Sequence, residues 1–302
     1  MLFSMKPHCH ICENESGYLM NKDGFGIYKC PDCGLVFVYP LPEDSYLKEE
    51  VYSAKSGYQG HRKGDLDNLP PTHRFDQIFY YLGEVKGKKI LDVGTSNGEF
   101  IYLLRKKGAE TYGVEINTKT ANAGLRAGLN IFVGFLEDAE FEDNFFDYIH
   151  LGDILEHVTD PRALLKECCR VLKPGGILII RTLNLDCFWG KATMMLYRSF
   201  GIPWSVVAPP HHLHFFSWNN MNQLISQLPF KLDYYQFELP PTLMYELGSL
   251  HLLKRYKKSQ SLSDLVYMLF SFSLYTFLWS FDRLITPLKN KDNEVLAMYV
   301  KS

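Results

Sequence analysis

The chain predicts an alternating α/β protein with a mostly parallel sheet, preceded by a small cysteine-stapled unit. Three observations lead there. From Lys88 onward, short apolar runs alternate with amphipathic ones, most of them closed by glycine. Four cysteines stand as two Cys-x-x-Cys pairs in the first 33 residues. A last apolar stretch, Glu294 to Val300, reads as a strand that returns to the sheet after an insertion at residues 240–290. With 302 residues, 46% of them hydrophobic, there is material for one large core and one accessory unit. The expected division is a cysteine-bound unit at 1–40, a helical linker or lid at 41–85, and a main domain at 86–302 that carries the insertion.

In the first unit, the short runs at Tyr18–Met20, Ile27–Lys29 and Leu35–Val38 are separated by Gly and Cys turns. They are too short to fold without a staple. Pro40-Leu41-Pro42 ends the unit. Residues 43–85 are polar and tyrosine-rich (Tyr46, Tyr52, Tyr58, Tyr80, Tyr81), with a helix expected over Thr72–Leu82. In the main domain, strands are expected at Lys89–Val93, Thr111–Glu115, Asn130–Val133, Phe146–Leu151 and Ile177–Arg181. The intervening helices are Phe100–Lys107, Thr118–Ala127 and Pro161–Leu172, the last opened by Asp160-Pro161. Residues 182–220 read as irregular, followed by a helix at Met221–Leu228 and a strand at Lys231–Glu238.

The turn after the first of these strands, Gly94-Thr95-Ser96-Asn97-Gly98, fits neither the dinucleotide fingerprint nor a phosphate-binding P-loop. A strand–glycine turn–helix unit still offers backbone N–H groups at a helix start, which suits a carboxylate as well as a phosphate. The methionyl end of S-adenosylmethionine (SAM) carries such a carboxylate. Asp92 favours the ammonium group beside it. Glu115 ends the next strand, 23 residues after Asp92, where an acid accepts hydrogen bonds from ribose hydroxyls.

Four segments now stand in order. The run Ile90-Leu91-Asp92-Val93-Gly94-Thr95-Ser96-Asn97-Gly98-Glu99-Phe100 resembles the first motif of class I SAM-dependent methyltransferases, in their methyltransferase-23-like group. Gly134-Phe135-Leu136-Glu137-Asp138 is similar to the loop that brackets adenine, Phe146 through Pro161 to the fourth motif, and Arg170 through Gly176 to the turn before the fifth strand. Ser96 departs from the Gly that many members carry, and Phe135 from an Asp near the adenine amine. The resemblance implies a Rossmann-like sheet with an antiparallel C-terminal strand. It also implies SAM bound by Asp92, Gly94, Ser96, Gly98, Glu115, Ile116, Leu136, Glu137, Asp138 and Gly152.

Cys9, Cys12, Cys30 and Cys33 form two knuckles 17 residues apart, a spacing that suits four thiolates around one structural Zn²⁺. Lys29-Cys30-Pro31-Asp32-Cys33-Gly34 resembles a zinc-ribbon knuckle. A closed four-cysteine site has no open position, so its role is structural. Similar N-terminal ribbons occur in some sugar C-methyltransferases and in one class of ribosomal RNA methyltransferase.

For chemistry, the leading cluster is Pro209 through Ser217, which resembles the His-Leu-His-Phe-Phe-Ser segment common after the fifth strand in this group. His212 and His214 would point to one side of an extended segment, one serving as base and the other as substrate contact. His157, with Glu156 and Asp153, is the second candidate; Asp153 and His157 would share a face if that segment is helical. Tyr52, Tyr58 and Arg74 are candidates for a lid or a contact to the cofactor carboxylate.

Leu265 to Phe281 holds 17 residues without a charge, preceded by Lys254-Arg255-Tyr256-Lys257-Lys258. As a helix this run reaches about 26 Å, at the short end for a membrane span. Core packing, a homodimer interface, a peripheral membrane contact through 254–281 and a wall for a lipidic substrate all fit it. The net charge of −2 and a ribbon with only Lys6, Lys22 and Lys29 argue against nucleic acid as partner. The expected function is methyl transfer from SAM to a small or lipid-linked acceptor, such as a sugar nucleotide or glycan, in the cytoplasm or peripheral to a membrane. An RNA methyltransferase and a SAM-binding membrane-docking module without turnover are the alternatives.

Overall fold

The N-terminal unit folds as an antiparallel meander in a computed structural model of the chain, which describes residues 6–52, 66, 72–202, 207–238, 252–285 and 294–302. Its strands are β1 (Gly17–Lys22), β2 (Phe25–Lys29) and β3 (Val36–Tyr39). Asp23 and Gly24, both at positive φ (53° and 89°), make the two-residue turn that joins β1 to β2. A short helical turn over residues 44–51 then carries the chain back toward the main domain. Tyr58 lies outside the described residues.

The main domain begins with helix α1 (Asp76–Leu82) and continues β4 (Lys89–Val93), α2 (Glu99–Lys106), β5 (Glu110–Glu115), α3 (Thr118–Arg126) and β6 (Asn130–Val133). It goes on with β7 (Phe146–Gly152), α4 (Pro161–Val171) and β8 (Leu172–Leu183). Asn117 caps α3 by accepting from the N–H groups of Lys119 and Thr120, and Asp160 caps α4 in the same way, with Pro161 in the first turn. The sheet order is β10-β11-β8-β7-β4-β5-β6. Strands β4 to β8 run parallel, while β11 (Glu294–Lys301) lies antiparallel between β8 and β10 (Phe230–Glu238). This is the Rossmann-like arrangement that the sequence predicts, antiparallel C-terminal strand included. The order of connection reverses at β4, between β5 and β7, which opens a crevice beyond the C-terminal ends of those strands.

One stretch differs from expectation. Residues 182–220 are not wholly irregular, since helix α5 (Phe188–Phe200) starts there on a Cys187 cap. Apolar side chains on several faces hide its period: one side packs with Leu47 and Tyr52, the other with the insertion. The segment closes with a two-residue strand, β9 (His214–Phe215), and helix α6 (Trp218–Ile225), held by a Ser217–Asn220 capping box. The described part of the insertion is two helices, α7 (Leu252–Ser259) and α8 (Leu262–Ile285); its ends, at 239–251 and 286–293, lie outside the described residues.

Strand β9 belongs to the meander, not to the large sheet: it pairs with β3, Val36 opposite Phe215 and Phe37 opposite His214. The main domain therefore supplies the fourth strand of the N-terminal unit. Arg162 and Gln227 also donate to the carbonyl of Ile11. Cys9, Ile11, Cys30, Leu35 and Phe37 share one core with Leu155, Leu164, Phe216 and Met221.

Candidate active site

Four loops meet at the crevice: 94–98 after β4, 115–117 after β5, 134–138 after β6 and 152–160 after β7. They enclose a cavity of about 390 Å³. Gly94, Ser96, Glu115, Ile116, Leu136, Glu137, Asp138 and Gly152 all line it. A smaller cavity of about 50 Å³ adjoins it, sharing Gly94, Ser96 and Gly152 and adding Arg74, Asp92 and His150.

The loop after β4 needs the left-handed region at three positions: Gly94 (φ 72°), Ser96 (φ 55°) and Gly98 (φ 86°). A side chain at Gly94 would put its Cβ 1.9 Å from Ile154 Cδ1, so glycine keeps the backbone bare against the cavity. Gly98 lines neither cavity; it caps α2 and sits close under Leu129. Ser96 is not glycine, and something must hold it at positive φ. Its N–H donates to Glu115 Oε2 at 2.8 Å, while Asn117 N–H donates to Oε1 at 2.9 Å. Glu115 therefore ties the first loop to the second. Burial pushes its carboxyl pKa up, against the pull of those donors. The Ser96 hydroxyl is buried with no partner among the described residues, in a residue that borders the crevice. An acid, a bare glycine backbone and an orphaned hydroxyl on one crevice fit a ribose-bearing cofactor.

Asp92 does not line the larger cavity. Its carboxylate accepts from His150 Nδ1 at 2.7 Å, both side chains being buried. His150 escaped the sequence reading. The available signal was register: β4 and β7 are neighbours, and Asp92 stands opposite His150. Arg74 reaches the same place and pairs with Asp153 at 2.6 Å.

His157 also lines the larger cavity, with Asp153 and Thr159. Residues 153–159 are a turn, so Asp153 and His157 do not share a helix face. Asp153 has φ of 56° and turns to Arg74, while His157 faces Tyr52 and His211. His157 Nδ1 lies 2.6 Å from the His211 carbonyl and 2.9 Å from Tyr52 Oη, which itself donates to that carbonyl at 2.9 Å. A carbonyl oxygen only accepts, so the proton sits on Nδ1 and Nε2 is the basic nitrogen. His212 packs edge-on to His157, ring centres 4.8 Å apart. The main chain of Glu156 holds this arrangement by accepting from the N–H groups of Leu213 and His214. Its side chain is buried and accepts from Thr182 at 2.9 Å, with its pKa pushed up to about 8 by burial and by Asp153.

His214 corrects the expectation of a paired-histidine base. It is fully buried, contacts neither cavity, and shares a hydrogen bond with His10 of the N-terminal unit. Burial pushes its pKa down to about 3. Alternation along the strand separates nothing here. His212 lines neither cavity either: its ring packs against His157, while His214 enters the seam with β3.

The sulfurs of Cys9, Cys12, Cys30 and Cys33 lie within 4.8 Å of one another, with 3.4 Å between Cys9 and Cys33 and between Cys12 and Cys30. Thiolates about 2.3 Å from a tetrahedral ion stand about 3.8 Å apart, so this donor set fits one soft cation.

A family model described as a methyltransferase domain matches residues 60–234, more than half of the chain. The chain belongs to this methyltransferase family. Its ordered motifs and seven-stranded sheet are those of the class I, SAM-dependent members. It is 31% identical over 126 residues to a ubiquinone biosynthesis O-methyltransferase of Alkalilimnicola ehrlichii, covering 39% of this chain and 51% of that one. With the protein of the same name from Erwinia tasmaniensis it shares 31% over 133 residues, covering 40% and 55%. The methyltransferase thus spans about half the length of the curated relatives it matches. Among solved structures, an S-adenosylmethionine-dependent methyltransferase from Mesorhizobium loti aligns over 78% of this chain and 100% of that one, at 13% identity and a TM-score of 0.49.

Proposed function

We propose that this methyltransferase moves the methyl group of SAM to a hydroxyl of a small-molecule acceptor, with His157 taking the proton. The carrying observation is that the cofactor cradle and a tautomer-fixed imidazole line one cavity. In this reading Glu115 accepts from the ribose hydroxyls, and the loops at 116 and 134–138 flank the adenine. The oppositely charged Arg74 and Asp92 face the carboxylate and ammonium of the methionyl end. SAM supplies the electrophilic methyl. Tyr52 and the His211 carbonyl orient His157, whose Nε2 accepts the acceptor's proton as the new bond forms. The relatives named as O-methyltransferases support a hydroxyl as the acceptor group. The four cysteines hold one structural Zn²⁺, and His212 contacts the acceptor beside His157.

Incubation of the protein with methyl-labelled SAM and fractionated small-molecule extract tests this by S-adenosylhomocysteine formation and label transfer. His157→Gln should lower kcat about 10²- to 10⁴-fold with SAM affinity unchanged. Tyr52→Phe should lower it less and shift the acid limb of the pH profile, where His157 takes up its proton. Full turnover in His157→Gln would reassign the base.

A further inference from the structure

Helix α8 has one buried stripe and one bare one. Met268, Ser271, Tyr275 and Asp282 face inward, and Tyr275 meets Trp189 of α5 edge-on. Tyr267 reaches the carbonyl of Gly201 just past that helix, and Phe281 packs on Phe188 at its start. The helix therefore lies along α5 for much of its length and does not project from the domain. On the opposite side Val266, Leu269, Phe270, Phe277 and Leu284 are exposed, Phe277 by 65% and Leu284 by 76%. Between them stand only Ser273, Thr276 and Ser280, and no exposed residue of the helix is charged. Met195 and Phe200 of α5, 65% and 52% exposed, extend the same apolar character. A 24-residue helix is about 36 Å long. An uncharged stripe of that length exceeds what a monomer in water leaves bare.

Charge selects the occupant. Helices α5, α7 and α8 together hold seven Lys and Arg against two Asp, in a chain whose net charge is −2. Arg198, Lys257, Lys258 and Lys191, the last paired with Asp186, are exposed on these helices. Two copies meeting through this face would bring like charges together. An anionic lipid surface would attract them while the stripe enters the headgroup boundary. We infer that the α5–α8 face docks the protein flat on an anionic membrane surface, as a peripheral contact. The side of α5 carrying Met194 and Tyr197 packs with Leu47 and Tyr52 of the cavity wall, so docking sets that wall beside the bilayer.

Sedimentation with vesicles tests this without any turnover. The probes are phosphatidylcholine vesicles, alone or mixed with phosphatidylglycerol. The full chain should pellet with the mixed vesicles and much less with phosphatidylcholine alone. Phe270→Asp with Phe277→Asp should lower the partition coefficient more than about a hundredfold. Lys257→Glu with Lys258→Glu should lower it about tenfold and flatten its salt dependence. Both side chains of the first pair are exposed, so its melting temperature and SAM affinity should match the parent's. The inference falls if the parent stays in the supernatant, or if the Asp variant binds as the parent does. It also falls if sedimentation equilibrium shows a dimer that the Asp variant dissolves, which would make the face a copy-to-copy interface. SAM binding measured on the same samples reports separately on the proposed activity.

Discussion

Glu115 carries two loads that one substitution separates. Glu115→Gln keeps the side chain's shape but replaces one acceptor oxygen with an NH₂ group. Both oxygens receive a backbone N–H, from Ser96 at 2.8 Å and from Asn117 at 2.9 Å, so the amide must set a donor against a donor. Losing one charge-assisted bond and leaving a buried N–H unpaired costs about 2–3 kcal/mol. Burial raises the pKa of this carboxyl, so removing the charge returns part of that, and a net loss of about 1–2 kcal/mol is expected. The effect on SAM is larger than the effect on the fold. If Glu115 receives the ribose hydroxyls as proposed, only one acceptor oxygen remains for them, and the Ser96 loop loses the bond that holds it at a φ of 55°. Affinity for SAM should fall about 10- to 100-fold. Urea melts give the first number and titration calorimetry the second. A variant that melts about 1–2 kcal/mol below the parent but binds SAM within threefold of it would mean that Glu115 organises the loop and never touches the cofactor.

Three further outcomes follow from the same geometry. Gly94→Ala adds a Cβ at 1.9 Å from Ile154 Cδ1 and at a φ of 72°, so it should destabilise the fold by about 2 kcal/mol and abolish SAM binding; calorimetry at saturating SAM checks it. Exhaustive chelation should remove about one zinc per chain and free the seam between β3 and β9, lowering the melting temperature and activity together; a metal-free preparation with an unchanged melt would remove zinc from the fold. Glu156, with its pKa pushed from 4.5 to about 8, keeps its proton in the folded chain while the unfolded chain loses it. Its contribution is complete below the unfolded value and is lost as pH rises toward 8. Glu156→Gln, which preserves an acceptor for Thr182, should make the melting temperature fall less than the parent's across that window.

What could be read in advance depended on whether one element or two fixed the residue's surroundings. The strand Lys89–Val93, its glycine turn and Glu115 were legible because each follows from local period and from the position of a strand end. The cysteine pairs were legible because ligand spacing is itself a local property. The pairing of Asp92 with His150 was not, since it requires knowing that β4 and β7 are neighbours in register. Helix α5 was missed for a related reason: it packs with Tyr52 on one side and α8 on the other, so apolar residues also stand outside its buried Trp189, Thr193 and Leu196 stripe.

The two histidines after the fifth strand make the same point at the level of chemistry. Spacing of two places His212 and His214 on one side only while the backbone stays straight. Here Leu213 and His214 donate to the Glu156 carbonyl, Val38 donates to Leu213, and His214 enters the sheet of the N-terminal unit opposite Phe37. One histidine therefore packs on His157 and the other bonds to His10 beside the cysteine cluster. The motif that reads as an acid–base pair is a strap: it fastens the cysteine-bound unit to the loop that presents the His211 carbonyl to His157. The proton on His157 Nδ1, and so the basicity of its Nε2, rests on a carbonyl whose position is set by that seam. Loosening the seam should thus weaken His157, the base we propose, before it disturbs the loops after β4, β5 and β6.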